Sequence, residues 1–266
     1  MVDLFQTLAE APAGVLEMVG DSLENRAKDP AQQAILERYI GDLDINPGAV
    51  VVEIGCGTGP VCRRFAEIEN VARVVGVEPA SALVERAGTL ADSDKLEFRV
   101  GRGEETGLAD GSADIVVLHT LLSHVPDQSA ILDEALRLLR PEGQLVVCDA
   151  DFSKTSVAIG DADPLQACVE AWVEGNVTDR WLCPRLPGLL KSKDLEISAF
   201  KGHNRVDVAG ISTGPGWVRM GADALVASGR ISETAGAALK AECEARIAAG
   251  QFYAALPFVS AVARRS

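Results

Sequence analysis

The fold is decided by Val50-Val-Val-Glu-Ile-Gly-Cys-Gly-Thr-Gly59, a short apolar run that passes directly into three alternating glycines. A continuous run of β-branched residues predicts a strand that is covered on both faces. The glycines at 55, 57 and 59 let the backbone turn tightly and approach a ligand, because they carry no Cβ and tolerate positive φ. The turn is expected to lead into a helix that begins near Pro60, whose N-terminal N–H groups would favour a negative group.

Four further apolar runs follow, separated by stretches with helical spacing of apolar residues. They cover residues 72–77, 96–100, 114–118 and 144–148. The alternation of strands and helices predicts parallel crossovers and an open, doubly wound α/β sheet. The helix before the last of these strands is expected to begin at Pro126 and to stop at Pro141-Glu-Gly143.

The two ends of the chain differ from this central pattern. The first 45 or so residues predict helices, one of them capped by Asp29-Pro30. After Asp151 a mixed region is followed by a strand at 195–200, a helix at about 232–250 and a closing strand at 251–264, in which Pro257 indicates an edge or a bulge. We therefore predict a single domain with a helical lid (1–45), a ligand-binding core (46–150) and a substrate-covering region that carries the last strands (151–266).

The composition of the chain argues against some classes of binding partner. The chain has 39 acidic and 25 basic side chains and a formal net charge of -14, which argues against nucleic acid because phosphate contacts depend on Lys and Arg. No apolar run approaches the roughly 18 residues of a membrane span, and the first residues lack a signal-peptide pattern. We expect a cytoplasmic protein without stable membrane insertion. The six cysteines form no C-x-x-C pair, so free and mostly buried thiols are expected.

The glycine pattern differs from that of a dinucleotide-binding loop. A G-x-G-x-x-G motif starting at Gly55 needs glycine at position 60, where the chain has Pro60. Glu78 ends the second predicted strand, and a carboxylate at that place can accept hydrogen bonds from both hydroxyls of a ribose. The alternative for Glu78 is a solvated acid at a strand end, and for the loop a purely structural turn.

Four motifs follow one another along the chain: Val51-Val-Glu-Ile-Gly-Cys-Gly-Thr-Gly59, Val75-Gly-Val-Glu-Pro79, Leu108-Ala-Asp-Gly-Ser-Ala-Asp-Ile-Val-Val117 and Leu138-Leu-Arg-Pro-Glu-Gly143. In this order they resemble the motifs of class I S-adenosylmethionine-dependent methyltransferases, in particular the small-molecule group that includes quinone-biosynthesis enzymes. Residues 251–264 are a weaker match to the last strand of that family. The resemblance implies a mostly parallel seven-stranded sheet with an N-terminal helical lid and a C-terminal helical insertion. It also implies S-adenosylmethionine as cofactor and S-adenosylhomocysteine as product.

The resemblance assigns cofactor contacts to particular residues. Glu53 would contact the methionine ammonium, and the loop of Gly55, Cys56, Gly57, Thr58 and Gly59 would pass beneath the cofactor. Glu78, followed by Pro79, would hold the ribose.

The adenine contact departs from the family pattern. After the third strand the family often has Gly-Asp-Ala-Glu, with the Asp accepting from the adenine amino group, whereas this chain has Gly101-Arg-Gly-Glu104. A guanidinium has only donors, so Arg102 cannot accept that hydrogen bond. Adenine recognition would then depend on the Gly103 backbone or on Glu104 or Glu105.

His119 follows the fourth predicted strand, at the edge of the sheet where ligands of such folds lie. An unperturbed imidazole there could act as a general base, or it could be a polar residue that lines the cofactor site. Asp149 and Asp151 follow the fifth strand and could hold Mg²⁺ against a catechol, although solvated acids are the simpler interpretation. We predict no metal site.

We expect an enzyme that moves a methyl group to O, N or C of a small organic acceptor. The sequence is also compatible with a homodimer. The alternatives are a membrane-associated quinone C-methyltransferase, a protein that binds S-adenosylmethionine without methyl transfer, and a thiol-assisted metalloid methyltransferase. Substrate choice is expected to come from the N-terminal helices and from about residues 152–225. Five large side chains there could wall an apolar pocket or fill the core: Phe152, Trp172, Trp181, Trp217 and Met220.

Overall fold

The computed structural model describes residues 3–208, 210 and 213–265. Within this part of the chain, seven strands form one sheet: β1 Ala49–Ile54, β2 Val71–Glu78, β3 Leu96–Val100, β4 Ala113–His119, β5 Leu139–Ala150, β6 Leu195–Asp207 and β7 Ala254–Arg265. The helices are α1 Ala13–Ala27, α2 Pro30–Ile40, α3 Pro60–Ala66, α4 Ser81–Thr89, α5 Gln128–Leu138, α6 Pro164–Asn176, α7 Leu182–Lys191, α8 Gly214–Ala227 and α9 Glu233–Ala248. Short 3-10 helices cover Leu4–Glu10, Leu122–His124 and Phe152–Lys154.

The strand order is β3-β2-β1-β4-β5-β7-β6. Strands β1 to β5 pair in parallel, and β7 is antiparallel to both of its neighbours. This confirms the predicted doubly wound, mostly parallel seven-stranded sheet. The chain reverses its direction of travel across the sheet between β1 and β4, and ligands of open α/β sheets bind outside the carboxyl ends of the strands at such a point.

Burial explains why the central strands lack polar alternation. In β1, Val51 packs in a cluster with Phe65 of α3, while Val52 and Ile54 pack in the opposite cluster with Ile131 of α5. Both faces of β1 are therefore covered, as the continuous apolar run predicts. Fully burying one such side chain stabilises the fold by roughly 1.5–3 kcal/mol.

The predicted boundaries around α5 were wrong by a few residues. The helix begins at Gln128 rather than Pro126, because the carboxylate of Asp127 accepts from Ala130 N at 3.0 Å and caps the first turn. It ends at Leu138, and β5 already starts at Leu139, which pairs with Ala113.

Strand β7 lies inside the sheet, so the expected edge position or bulge at Pro257 was wrong. The carbonyl of Pro257 accepts from Asp151 N at 2.8 Å, just beyond Ala150, where β5 ends. The N and C=O of one strand residue point to the same side. The missing N–H of Pro257 therefore faces the end of β5, and the pairing with β6 loses no donor.

Helices precede the sheet and form an insertion in the C-terminal half of the chain, as predicted. The N-terminal 3-10 helix, α1 and α2 precede the sheet, and α6 to α9 are inserted around β6. No helix in the described ranges is long and apolar enough to cross a membrane. The finer division into lid, core and substrate-covering region stays a prediction, since β6 and β7 complete the sheet that residues 46–150 begin.

Candidate active site

A cavity of about 410 Å³ lies at the carboxyl ends of β1, β2 and β4, where the strand order reverses. Most of the predicted cofactor residues are brought together in its wall, although their positions in the sequence span 67 residues. These residues are Glu53, Gly55, Cys56, Gly57, Glu78, Pro79, Gly103, Glu104 and His119. Thr58 and Gly59 do not line it. The buried Thr58 hydroxyl donates to Glu24 of α1 at 2.6 Å instead.

The glycine loop is held between α1 and the sheet. Gly55, Gly57 and Gly59 have φ values of 76°, 55° and 77°. A Cβ on Gly57 would lie 2.7 Å from Leu23 of α1, and one on Gly59 would lie 2.5 Å from the ring of Phe98. Larger residues at these two positions would therefore meet both backbone strain and close contacts.

Glu78 is fixed by backbone hydrogen bonds at the end of β2. Its two carboxylate oxygens accept from Gly57 N and from Ala80 N, each at 3.1 Å. The side chain is buried, which raises the pKa of Glu78, while the two backbone donors act in the opposite direction. The carboxylate is thus joined to the glycine loop and faces the cavity.

Glu53 has a different environment at the end of β1. The thiol of Cys62 donates to Oε2 of Glu53 at 2.9 Å, and the side chain is only 3% exposed. Burial raises the pKa of Glu53 to about 8. At neutral pH the carboxyl is therefore mostly protonated until a cation approaches it.

His119, at the end of β4, has its Nδ1 3.1 Å from the hydroxyl of Tyr39. Burial, with a smaller contribution from Arg26, lowers the pKa of His119 to about 3. The imidazole is neutral at pH 7. The expectation of an unperturbed pKa near neutrality was therefore wrong, because the ring is almost fully enclosed.

The segment after β3 contributes Arg102, Gly103 and Glu104 to the cavity, and Glu105 does not line it. The Arg102 side chain is exposed and donates through Nε to Glu104 at 2.7 Å. A Cβ on Gly103 would lie 2.7 Å from Ile131 and 3.1 Å from Ile54. The Gly103 backbone is therefore closely packed against the apolar side of the cavity.

The N-terminal 3-10 helix, which lies within the predicted lid, forms part of the wall, but its lining residues were not predicted. Its residues Phe5, Gln6 and Leu8 line the cavity. Asp3 anchors this segment. Its carboxylate caps the 3-10 helix by accepting from Phe5 N, and it also accepts from Thr178 N at 3.0 Å. One of its oxygens lies 2.8 Å from Nδ1 of His124. The only sequence signal was an Asp placed where a cap would stand.

Arg26 of α1 and Tyr39 of α2 were also missed. Arg26 is half-buried, lines the cavity and donates to Thr120 Oγ1 at 3.0 Å. Burial lowers the pKa of Arg26, although a guanidinium remains charged at neutral pH. Neither residue stands in a local motif, so no signal could have found them.

The remaining polar candidates have structural partners. Asp149 is fully buried and accepts from Ser123 Oγ at 2.7 Å, and Asp151 accepts from Ser153 N at 3.2 Å. His203 of β6 lies with Nε2 2.8 Å from Ser260 Oγ. Among the residues that the structure describes, no group of three His, Cys, Asp or Glu could hold a metal ion. All six cysteines are free and buried, as predicted.

Five large side chains of the C-terminal half were expected either to wall a pocket or to fill the core. Trp172 stacks on Trp217 with ring centroids 5.4 Å apart and lies 6.0 Å from Phe152, and these three belong to the core. Trp181 and Met220 are exposed. None of the five lines the cavity, so the core alternative holds for three of them.

Parts of the chain are similar in sequence to known methyltransferases. The family described as a methyltransferase domain matches residues 52–147. The 27-O-demethylrifamycin SV methyltransferase of Amycolatopsis mediterranei is 31% identical over 130 residues, which is 47% of this chain and 47% of that protein. The ubiquinone biosynthesis O-methyltransferase of Xanthomonas oryzae is 30% identical over 113 residues, 42% of this chain and 47% of that protein. The chain thus spans about half the length of the curated relatives that it matches.

A solved structure extends the similarity to the whole fold. The geranyl diphosphate C-methyltransferase of Streptomyces coelicolor, solved with Mg²⁺, geranyl diphosphate and S-adenosylhomocysteine, has a TM-score of 0.53 at 16% identity, covering 88% of this chain and 78% of that one. At this identity the likeness concerns the fold alone. Residues 52–147 are thus similar in sequence to a methyltransferase domain, and the sheet of the described residues has the fold of solved methyltransferases.

Proposed function

We propose that the chain binds S-adenosylmethionine in the cavity at the β1–β4 switch point and transfers its methyl group to a small organic acceptor, leaving S-adenosylhomocysteine. The observation that carries this proposal is the convergence of Glu53, the positive-φ glycine loop and Glu78 on one cavity. The domain match supports it, and so do the relatives, which are named as methyltransferases.

Glu78 would hold the ribose. Two vicinal hydroxyls match the two oxygens of one carboxylate. The hydrogen bonds from Gly57 N and Ala80 N keep this carboxylate in place before the ligand arrives, so little side-chain entropy is lost on binding.

Glu53 and Arg26 would hold the amino-acid end of the cofactor. That end carries one ammonium and one carboxylate, and the cavity wall offers one carboxyl and one guanidinium for them. An ammonium beside Glu53 would lower its raised pKa and restore the charged form. Binding at neutral pH is therefore expected to release a proton from Glu53.

Adenine would lie against the Gly103 backbone and the apolar side chains near it, such as Ile131. Arg102 and Glu104 bond to each other, so neither the guanidinium nor the carboxylate needs the base as a partner. The chain has Arg102 where the family often has the Asp that accepts from adenine, and this contact between Arg102 and Glu104 is consistent with that difference.

The bound cofactor supplies a sulfonium that makes methyl transfer favourable. The residues of this chain would then position the donor and the acceptor and exclude water. The 3-10 helix anchored by Asp3 supplies part of the cover, through Phe5 and Leu8.

Thermal unfolding with S-adenosylmethionine, S-adenosylhomocysteine and NAD, each added alone, tests the proposal. A ligand at 100 times its Kd stabilises the folded state by about 2.7 kcal/mol. We expect Tm to rise with each of the two sulfur compounds and not with NAD. If neither S-adenosylmethionine nor S-adenosylhomocysteine raises Tm, the cofactor assignment is contradicted. Transfer of labelled methyl to extracted metabolites then separates an enzyme from a protein that only binds the cofactor.

A further inference from the structure

A second cavity, of about 470 Å³, lies between α1, α2 and α3. It shares Arg26, His119 and three apolar wall residues with the first cavity: Leu23, Pro60 and Val61. The two cavities are therefore adjacent, and His119 lies in the wall common to both, beside the proposed amino-acid end of the cofactor. This common wall is called the junction below.

The charges around this second cavity are unevenly paired. Its three acidic wall residues are all engaged: Glu24 with Arg63, and Glu37 and Glu67 with Arg64. Arg26 at the inner end and Lys28 in the wall form no ion pair with any residue that the structure describes. Because Arg26 would pair with the carboxylate of the bound cofactor, the exposed Lys28 is the positive charge that remains for an occupant of this cavity. An anionic occupant would complement it.

His119 presents a donor to the junction. In the described ranges, the hydroxyl of the fully buried Tyr39 has Nδ1 of His119 as its one hydrogen-bond partner, so this hydroxyl donates to Nδ1. The ring proton is then on Nε2. Nε2 has no protein partner within those ranges and is not among the enclosed polar atoms, so it faces the cavity space. Tyr39 thereby fixes His119 as a hydrogen-bond donor, not as a base.

Among the residues that the structure describes, the side chains around the junction include no unpaired base. Glu24, Glu37 and Glu67 are ion-paired, and Glu53 faces the first cavity, where the cofactor ammonium would occupy it. Tyr39 and Cys148 are buried and protonated, since burial raises the pKa of each. An acceptor that must lose a proton finds no group to take it. A carboxylate acceptor has no proton to lose.

We propose that the cavity between α1, α2 and α3 is the acceptor site and that it takes a small organic acid, whose carboxylate oxygen receives the methyl group while His119, oriented by Tyr39, donates to the other oxygen. This inference rests on the proposed function. A lone pair of the carboxylate forms the new O–C bond as the S–C bond breaks, and that electron pair stays on sulfur. The products are a methyl ester and a neutral thioether, with no proton released.

The test is transfer of labelled methyl from S-adenosylmethionine to a defined pool of short and medium-chain aliphatic acids, benzoic acid and cinnamic acid. Matched pools of the corresponding alcohols and amines serve as controls. We expect counts from the acid pool alone, and mild alkali should release them as volatile methanol, since esters hydrolyse and ethers or methylamines do not. Alkali-stable product, or transfer to the alcohols or amines instead, would overturn the proposal.

Calorimetry of S-adenosylmethionine binding to the same preparation tests the cofactor assignment separately from the acceptor assignment. Binding without transfer to any acid overturns the acceptor assignment and leaves the cofactor assignment intact. Absence of binding contradicts the proposed function itself.

Two variants test the residues. Lys28→Met is expected to raise KM for the acid about three- to tenfold through the lost charge, with kcat little changed, whereas Lys191→Met on α7 should change neither. Tyr39→Phe should leave His119 in a mixture of ring tautomers, and ¹⁵N NMR of its imidazole reports this directly, with only three histidines in the chain. A wild-type ring protonated on Nδ1, or one that gains a second proton near pH 6.5, would contradict the donor role.

Discussion

Glu53 and Glu78 end neighbouring strands, β1 and β2, and both are almost fully buried, yet their surroundings prepare them for different ligands. Glu78 accepts from two backbone N–H groups, which stabilise its charged form and fix its position. Glu53 is bonded by a single thiol, and burial raises its pKa to about 8. The first carboxylate is ready for neutral hydroxyls, and the second becomes charged when a cation arrives.

Under the proposed function, this difference would let one edge of the sheet recognise two chemically unlike parts of the cofactor. The fold brings both carboxylates to the cavity, and the hydrogen-bond donors around each one set its charge state. The comparison leads to four predictions, in order of decreasing expected effect.

Replacing Glu78 should have the largest effect. In Glu78→Ala, the N–H groups of Gly57 and Ala80 lose their acceptor, and the ribose loses its partner. We expect affinity for S-adenosylhomocysteine to fall about 10- to 100-fold, with a loss of roughly 1–3 kcal/mol in unfolding free energy. Glu78→Gln keeps an acceptor oxygen, so it should lose less affinity and less unfolding free energy than Glu78→Ala. Equal affinity of Glu78→Ala and wild type in calorimetry would remove the ribose assignment.

Glu53 should make both stability and binding depend on pH. Its folded-state pKa is raised above 4.5, so its contribution to stability is complete below about pH 4.5 and is lost as the pH rises through about 8. The ligand-free wild type should therefore lose more unfolding free energy than Glu53→Gln between pH 6 and 9. Cofactor binding at pH 7 should release close to one proton, a release that disappears in Glu53→Gln. Calorimetry in buffers of different ionisation enthalpy measures it, and an identical release in both proteins would refute the pairing of Glu53 with the ammonium.

Cys62→Ser should sharpen this prediction. A hydroxyl donates a stronger hydrogen bond than a thiol, so the pKa of Glu53 should move down from about 8. The pH at which proton release is half complete should fall accordingly. Cys243→Ser is a matched control, because that buried thiol does not line the cavity. A shift in both variants, or in neither, would show that the thiol does not set the state of Glu53.

The smallest effect is expected at the N-terminal cover, away from both carboxylates. Asp3→Asn weakens the bonds to Thr178 and His124 that hold the 3-10 helix over the cavity. We expect a loss of affinity for S-adenosylhomocysteine of about two- to fivefold. A loss as large as that of Glu78→Ala would mean that the cover, rather than the strand ends, provides most of the recognition.

The sequence predicted the strands, the glycine turn and the two carboxylates because each depends on a local pattern. Five apolar runs and their turn residues define β1 to β5 to within a few residues, and Glu53 lies near the end of the first run while Glu78 directly follows the second. The order of the strands could not be obtained in this way. The interior position of β7, with Pro257, is set by pairing between strands far apart in the chain.

The rest of the candidate site depends on contacts between distant residues. Tyr39 meets His119 across 80 residues, Arg26 meets Thr120 across 94, and Asp3 meets His124 across 121. No periodicity or motif connects such pairs. The neutral state of His119 was also out of reach, because it follows from burial that only the folded chain shows.

The most direct test of the central claim is a crystal structure of the protein with S-adenosylhomocysteine. We predict that both ribose hydroxyls donate to Glu78 and that the amino-acid end lies between Glu53 and Arg26, in the cavity at the carboxyl ends of β1, β2 and β4. A ligand bound elsewhere, or one whose ribose lies away from Glu78, would contradict the account.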